Sequence, residues 1–80
     1  MDHDHELDVR GSLCPIPVLK TKRAMDKLQP GEVLRVLSSD PGSMRDMESF
    51  ARQTGHLLLD SREDGKDFVF LLRKGKPAVS

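Results

Sequence analysis

Residues 6–21, Glu6-Leu7-Asp8-Val9-Arg10-Gly11-Ser12-Leu13-Cys14-Pro15-Ile16-Pro17-Val18-Leu19-Lys20-Thr21, change their periodicity partway along. Glu6 to Arg10 alternate polar and apolar side chains, the pattern of a short strand with one buried face. Gly11-Ser12 breaks it. From Pro15 to Leu28 the period becomes helical: Val18, Thr21, Ala24, Met25 and Leu28 share one stripe, and Lys20, Arg23 and Lys27 lie opposite. A strand that feeds a helix through a short loop is the first half of a β-α-β unit, so the next segment decides the fold.

That segment is a strand. Gln29-Pro30-Gly31 ends the helix, because proline cannot continue the hydrogen-bond ladder and glycine tolerates the turn. Glu32 to Ser39 is rich in Val and Leu and too short for an independent helix, which predicts a central strand. Asp40-Pro41 reads as an N-cap acceptor followed by proline at the first helical position. Met44, Met47, Phe50, Ala51 and Thr54 form a second stripe, closed by Gly55. His56 to Arg62 and Asp67 to Arg73 then read as two strands joined through Glu63-Asp64-Gly65-Lys66, whose Asp-Gly pair suits a tight hairpin. The order is βαβαββ.

A right-handed crossover makes the first two strands parallel and puts both helices on one face. The expected fold is therefore an α/β two-layer sandwich, a four-stranded mixed sheet with two helices on one face. Val33, Arg35, Leu37, Val69 and Leu71 are expected on the opposite, partly exposed face. Residues 6–75 form the single expected domain, and residues 1–5 and 76–80, polar and without periodicity, read as disordered tails.

Composition narrows the chemistry. Eighty residues leave room for one small core, worth roughly 4 to 12 kcal/mol in all. Thirteen basic residues balance thirteen acidic ones, so global charge gives no reason to expect a direct nucleic-acid partner. Three Phe and no Trp or Tyr leave little for base stacking. No apolar run approaches a membrane span, and the polar, acidic start is unlike a secretory leader, which together point to the cytoplasm. One cysteine excludes an internal disulfide and any zinc site needing two thiolates. His3, His5 and His56 show no compact ligand spacing, so neither metal nor cofactor is expected.

The lone cysteine, Cys14, falls where the N-cap of the first helix is expected. A helix N-terminus carries about half a positive charge and unpaired amide donors, which favour thiolate over thiol. Pro15 and Pro17 lack amide hydrogens, leaving the backbone N–H groups of Ile16 and Val18 as the expected anion donors. Gly11, Pro15 and Pro17 would shape and stiffen the loop. Asp40 follows the second strand as Cys14 follows the first, so it is a possible neighbour of the thiol, and Arg45 is a second on charge alone, since a nearby cation favours anionic sulfur. Ile16 and Leu19 lie beside Lys20 and Arg23 rather than on the core stripe, an apolar centre with a basic rim that would suit a docking partner.

Four segments together, Leu7-Asp8-x-x-Gly11-x-x-Cys14-Pro15-x-Pro17, Pro30-Gly31-Glu32, Asp40-Pro41-x-x-x-Arg45-Asp46 and Leu71-Leu72-Arg73-Lys74, resemble the TusA (SirA-like) family of small sulfur carriers across residues 6–75. The resemblance implies a βαβαββ domain and a sulfurtransferase that acts as a carrier, with Cys14 accepting sulfane sulfur as a persulfide. It implies a donor protein, a cysteine desulfurase or rhodanese-like enzyme, and a sulfur-acceptor protein. It admits tRNA thiolation, cofactor sulfur supply or oxidation of reduced sulfur compounds as the relay. Two other readings stay open: a non-catalytic protein or RNA interaction module with an incidental cysteine, and a thiol redox sensor.

Overall fold

The computed structural model describes residues 3–13 and 16–75. Its elements run β1 (His5–Asp8), α1 (Ile16–Asp26), β2 (Val33–Ser38), α2 (Ser43–Thr54), β3 (Leu57–Asp64) and β4 (Asp67–Arg73). The strands form one mixed sheet in the order β1-β2-β4-β3, with β1 parallel to β2 and both β2 and β3 antiparallel to β4. The expected βαβαββ sandwich is what the chain builds.

Strand alternation sorts the sheet into two faces. Leu34, Val36, Phe70 and Leu72 are buried on one face and join Met25 and Leu28 of the α1 segment and Met47, Phe50 and Ala51 of α2 in a single core. Both helices therefore cover the same side. Phe70 and Val36 are fully buried cross-strand partners at its centre. Buried polar groups find partners within their own helix or loop: the Thr21 hydroxyl donates to the Pro17 carbonyl at 2.7 Å, and Ser43 Oγ donates to the Asp40 carbonyl at 2.5 Å. Such bonding is what allows hydroxyls in a core this small.

The other face departs from expectation. Val69 and Leu71 retain only 7% and 5% of their exposure although no helix covers them. Arg35 and Arg62 stand over this face with Asp60 and Asp64, and their long stems shield it while their heads are paired, Arg35 to Glu6 at 2.5 Å and Arg62 to Asp60. Arg62 also holds the Asp60 carboxyl below its ordinary range, chiefly through that hydrogen bond. The face is thus covered by the sheet's own charged side chains, with none of the three phenylalanines on it.

Element ends show two further differences. His5, assigned by periodicity to a tail, opens β1, and Asp4 Oδ2 already accepts the Val33 amide at 2.9 Å. Residues 1–2 and 76–80 lie outside the described residues. The α2 helix starts at Ser43, after Gly42 in a right-handed conformation, so Asp40 is not its N-cap. Asp40 instead forms a turn before the helix, its Oδ1 accepting the Gly42 N–H at 3.1 Å. At the other end Gly55 takes the left-handed conformation, φ 80°, and donates its N–H to the Ala51 carbonyl. The β3–β4 loop is a two-residue turn with Gly65 at φ 64°.

The edge distant from the β1–α1 loop is closed by the end of β4. Lys74 Nζ donates to the Met25 carbonyl at 2.6 Å, at the C-terminal end of α1, and the Lys74 amide donates to Glu32 O. The Gly75 amide donates to His56 Nδ1 at 3.0 Å, and the His56 ring tilts against Phe50 with centroids 5.7 Å apart. At Gly75 the backbones nearly touch, since a Cβ there would lie 2.3 Å from the Gly55 carbonyl oxygen. Burial first, and the Lys74 charge second, push the His56 imidazole below its ordinary value, against a smaller opposing pull from Asp26.

Two outcomes follow for stability. Gly75→Ala must displace one of two packed backbones and should cost about 1 to 3 kcal/mol in urea unfolding; an unchanged midpoint would show that this edge yields freely. His56 binds its proton less readily folded than unfolded, so its contribution is complete above the unfolded value of 6.5 and drains as pH falls through the lower folded value. His56→Gln keeps an acceptor for Gly75 and should flatten the loss of stability between about pH 7 and pH 5; a slope equal to that of the parent protein would contradict this.

Candidate functional site

The loop leaving β1 is built by the chain on either side of it. Asp8 accepts three hydrogen bonds from Arg10, from the backbone N–H at 3.0 Å, Nε at 2.9 Å and the guanidinium at 2.7 Å, which turn the chain sharply out of the strand. These bonds, the side-chain contact before the backbone one, push the Asp8 carboxyl down to about 2. Arg10 also reaches Asp67 of β4 at 3.3 Å, and the two carboxylates raise its own affinity for the proton. Val9 is buried and its amide continues the parallel ladder to Leu37 O at 2.8 Å.

Gly11 follows at φ 85°, a left-handed conformation that a side chain rarely adopts. Its N–H donates to Ser39 Oγ at 2.8 Å, and this bond ties the β1–α1 loop to the β2–α2 loop. Both helix starts therefore share one edge of the sheet, as two parallel strands require. Asp40, adjoining Ser39, belongs to the same edge. Arg45 is exposed on the first turn of α2, where it lines a shallow hollow of about 550 Å3 with Pro41, Gly42, Met44 and Asp46.

Cys14 and Pro15 lie outside the described residues, so the expected cap position and the anion contacts at the sulfur are not part of the observed geometry. The residues on either side are. Leu13 is 72% exposed, Ile16 44% and Leu19 53%, and among the described residues the only other large apolar side chain so exposed is Leu57, at the start of β3. Ile16, Leu19, Lys20 and Arg23 follow one another at helical spacing and all are exposed, as the pattern predicted. Pro17 sits on the buried side of α1 and helps anchor the helix start.

The Ile16 N–H, one of the two expected anion donors, donates to the Leu13 carbonyl at 2.9 Å. The Val18 N–H lies in the first turn of α1, among the donors that have no acceptor within the helix. Two contributors went unread in the sequence. Leu13, an isolated apolar residue in a loop, has no periodicity to mark its exposure, and the Ser39 tether depends on the register between β1 and β2. Among the described residues no group of three or more His, Cys, Asp or Glu could hold a metal ion. Nor is any helix among them long and apolar enough to cross a membrane.

Comparison with known proteins agrees along nearly the whole chain. The family model described as sulfurtransferase TusA matches residues 5–74. The sulfur carrier protein TusA of Allochromatium vinosum is 45% identical over 73 residues, covering 91% of this chain and 96% of that protein. A putative sulfur carrier protein of Neisseria meningitidis serogroup A is 52% identical over 66 residues, covering 82% and 86%. Among solved structures, a SirA-like protein from Desulfitobacterium hafniense superimposes with a TM-score of 0.79 at 25% identity, over 91% of this chain and all of that one. A βαβαββ sandwich with a single cysteine between its first strand and first helix, matched by that family model from the first residue of β1 to the residue after β4, belongs to the TusA family of sulfurtransferases.

Proposed function

We propose that this protein is a sulfur carrier, which takes sulfane sulfur onto Cys14 as a persulfide and delivers it to a partner protein. The observation that carries the reading is the place of the chain's one thiol in the sequence, between exposed Leu13 and exposed Ile16, in a chain matched over residues 5–74 by a sulfurtransferase family.

The chemistry needs few groups. The Cys14 thiolate attacks the terminal sulfur of a donor persulfide; a new S–S bond forms on Cys14 as the donor's S–S bond breaks, and the donor cysteine leaves as a thiolate. Delivery repeats the step with the acceptor thiolate as nucleophile, so no net oxidation occurs and no external oxidant is consumed. The positive end of α1, which begins two residues beyond Cys14 in sequence, favours anionic sulfur at that position. With the Ile16 amide committed to Leu13, this support falls to the field of the helix and to the Val18 N–H. Arg45, exposed on the same edge, is the cation that could serve the anion, while Asp40 acts as the turn-former that holds the neighbouring loop. Because the chain has no second cysteine, a persulfide on Cys14 meets no internal thiol and waits for a partner.

A cysteine desulfurase or rhodanese-like protein is the donor this chemistry requires, and an acceptor in tRNA thiolation, cofactor sulfur supply or sulfur oxidation is its destination. A thiol that must remain reduced between cycles suits the cytoplasm. The interaction-module reading loses its ground on the open sheet face, where Arg35 and Arg62 are already paired with carboxylates and no aromatic side chain is presented.

Intact-mass spectrometry after incubation with a desulfurase and cysteine should show one added sulfur, removed by reductant. Cys14→Ser should show none. Equal uptake by the serine variant would refute the assignment, and a Cys14-linked dimer in place of the persulfide would favour a redox sensor.

A further inference from the structure

Among the described residues, the hydroxyls of Thr21, Ser38, Ser43 and Thr54 bond within their own segments. Thr21 donates to the Pro17 carbonyl, Ser43 to the Asp40 carbonyl and Thr54 to the Phe50 carbonyl, and Ser38 Oγ accepts the Asp40 amide. Ser39 does otherwise. Its Oγ accepts the Gly11 N–H at 2.8 Å, across 28 positions of sequence and between the two loops that leave β1 and β2. Both residues are exposed, so the bond competes with water and adds little to the core. Its effect falls on the loops it joins.

What the bond fixes is the turn that precedes Cys14. The Ser12 N–H donates to the Val9 carbonyl at 3.2 Å and closes a four-residue turn over Arg10 and Gly11. Gly11 stands at φ 85°, and no described residue other than glycine has a positive φ, Arg10 included. That pair of signs belongs to a type II turn. Types I and II differ in the orientation of the middle peptide plane, here Arg10–Gly11, and glycine accepts either. The N–H of that plane takes no part in the turn's own bond; Ser39 receives it and so selects one orientation. The Arg10 guanidinium, held by Asp8 and reaching Asp67, anchors the same turn from the β4 side. Cys14 follows three residues beyond Gly11 in sequence.

We infer that Ser39 is a positioning residue for sulfur transfer, its hydroxyl holding the Arg10–Gly11 peptide in the orientation that delivers the cysteine-bearing loop to the start of α1. The inference rests on the carrier reading above. The two supports for anionic sulfur named there, the field of α1 and the Val18 N–H, both act at short range: the field falls off within the first turn, and a hydrogen bond weakens steeply off its line. A turn free to flip averages the loop over poorer placements, and the thiolate loses stabilisation relative to the thiol. Ser39 acts through the backbone and takes no part in the exchange of sulfur.

The test sets Ser39→Ala, which removes the acceptor, beside Ser39→Thr, which keeps it, both in the full chain. Cys14 is alkylated with iodoacetamide across about pH 5 to 10, and is loaded at neutral pH by a cysteine desulfurase supplied with cysteine. In Ser39→Ala the midpoint of the alkylation profile should move upward and loading should slow about two- to tenfold, the worth of one hydrogen bond. Ser39→Thr should restore both. A Ser39→Ala profile that coincides with that of the unaltered protein or moves downward overturns the positioning role, and so does a shift that threonine leaves in place. Loss of the folded circular dichroism spectrum in Ser39→Ala would make the bond a support of the whole fold and overturn it too. Absence of loading in the unaltered protein overturns the carrier reading instead, while the alkylation profiles still decide whether Ser39 places the thiol.

Discussion

The parallel pairing of β1 with β2 is the constraint on which the remaining structure depends. Only a parallel pair delivers two successive chain exits, each leading to a helix, at one edge of a sheet. β1 has just four residues, so the strand alone is a modest anchor. The pairing is prolonged beyond it on both sides, by Asp4 receiving the Val33 amide and by the Val9 and Gly11 amides reaching Leu37 and Ser39. Through those bonds the β1–α1 loop is held against the β2–α2 loop, and Leu13 and Ile16, which flank the one cysteine in sequence, are exposed.

The distribution of polar groups follows from the small size of the domain. A core this limited has little capacity for unsatisfied hydrogen-bonding groups, and among the described residues no buried side-chain nitrogen or oxygen lacks a partner. Charge is managed in the same spirit. On the open sheet face arginines cover apolar residues and are neutralised, Arg35 by Glu6 of the neighbouring strand and Arg62 by Asp60 of its own; at the far edge Lys74 satisfies the end of α1. Glu32 draws together a loop amide and His5, and its carboxyl is lowered first by the Gln29 N–H and then by His5.

Much of this was legible in the sequence because periodicity reports burial directly. Met25, Leu28, Met47, Phe50 and Ala51 lie in the core as their spacing requires, and Leu19 and Lys20 lie outside it. What could not be read depends on contacts distant in sequence or on a choice between two local solutions. Asp40-Pro41 suits a helix cap and a preceding turn equally well, and the chain takes the turn. The strand order, which places Glu6 beside Arg35 and Asp60 beside Leu71, is fixed by the sheet as a whole. Without it neither the covering of Val69 and Leu71 nor the Ser39 tether can be foreseen. The bond from the Ile16 amide to the Leu13 carbonyl is a local choice of the same kind.

The central claim is that one sulfur atom travels on one side chain. It is tested most directly by loading the protein with radiolabelled sulfane sulfur, removing the donor, and mapping the label by non-reducing proteolysis before and after adding an acceptor thiol. The account predicts close to one labelled sulfur per chain, confined to the peptide containing Cys14, and its full release to the acceptor with recovery of the free thiol. Label on any other peptide, or label on Cys14 that no acceptor thiol removes, would contradict it.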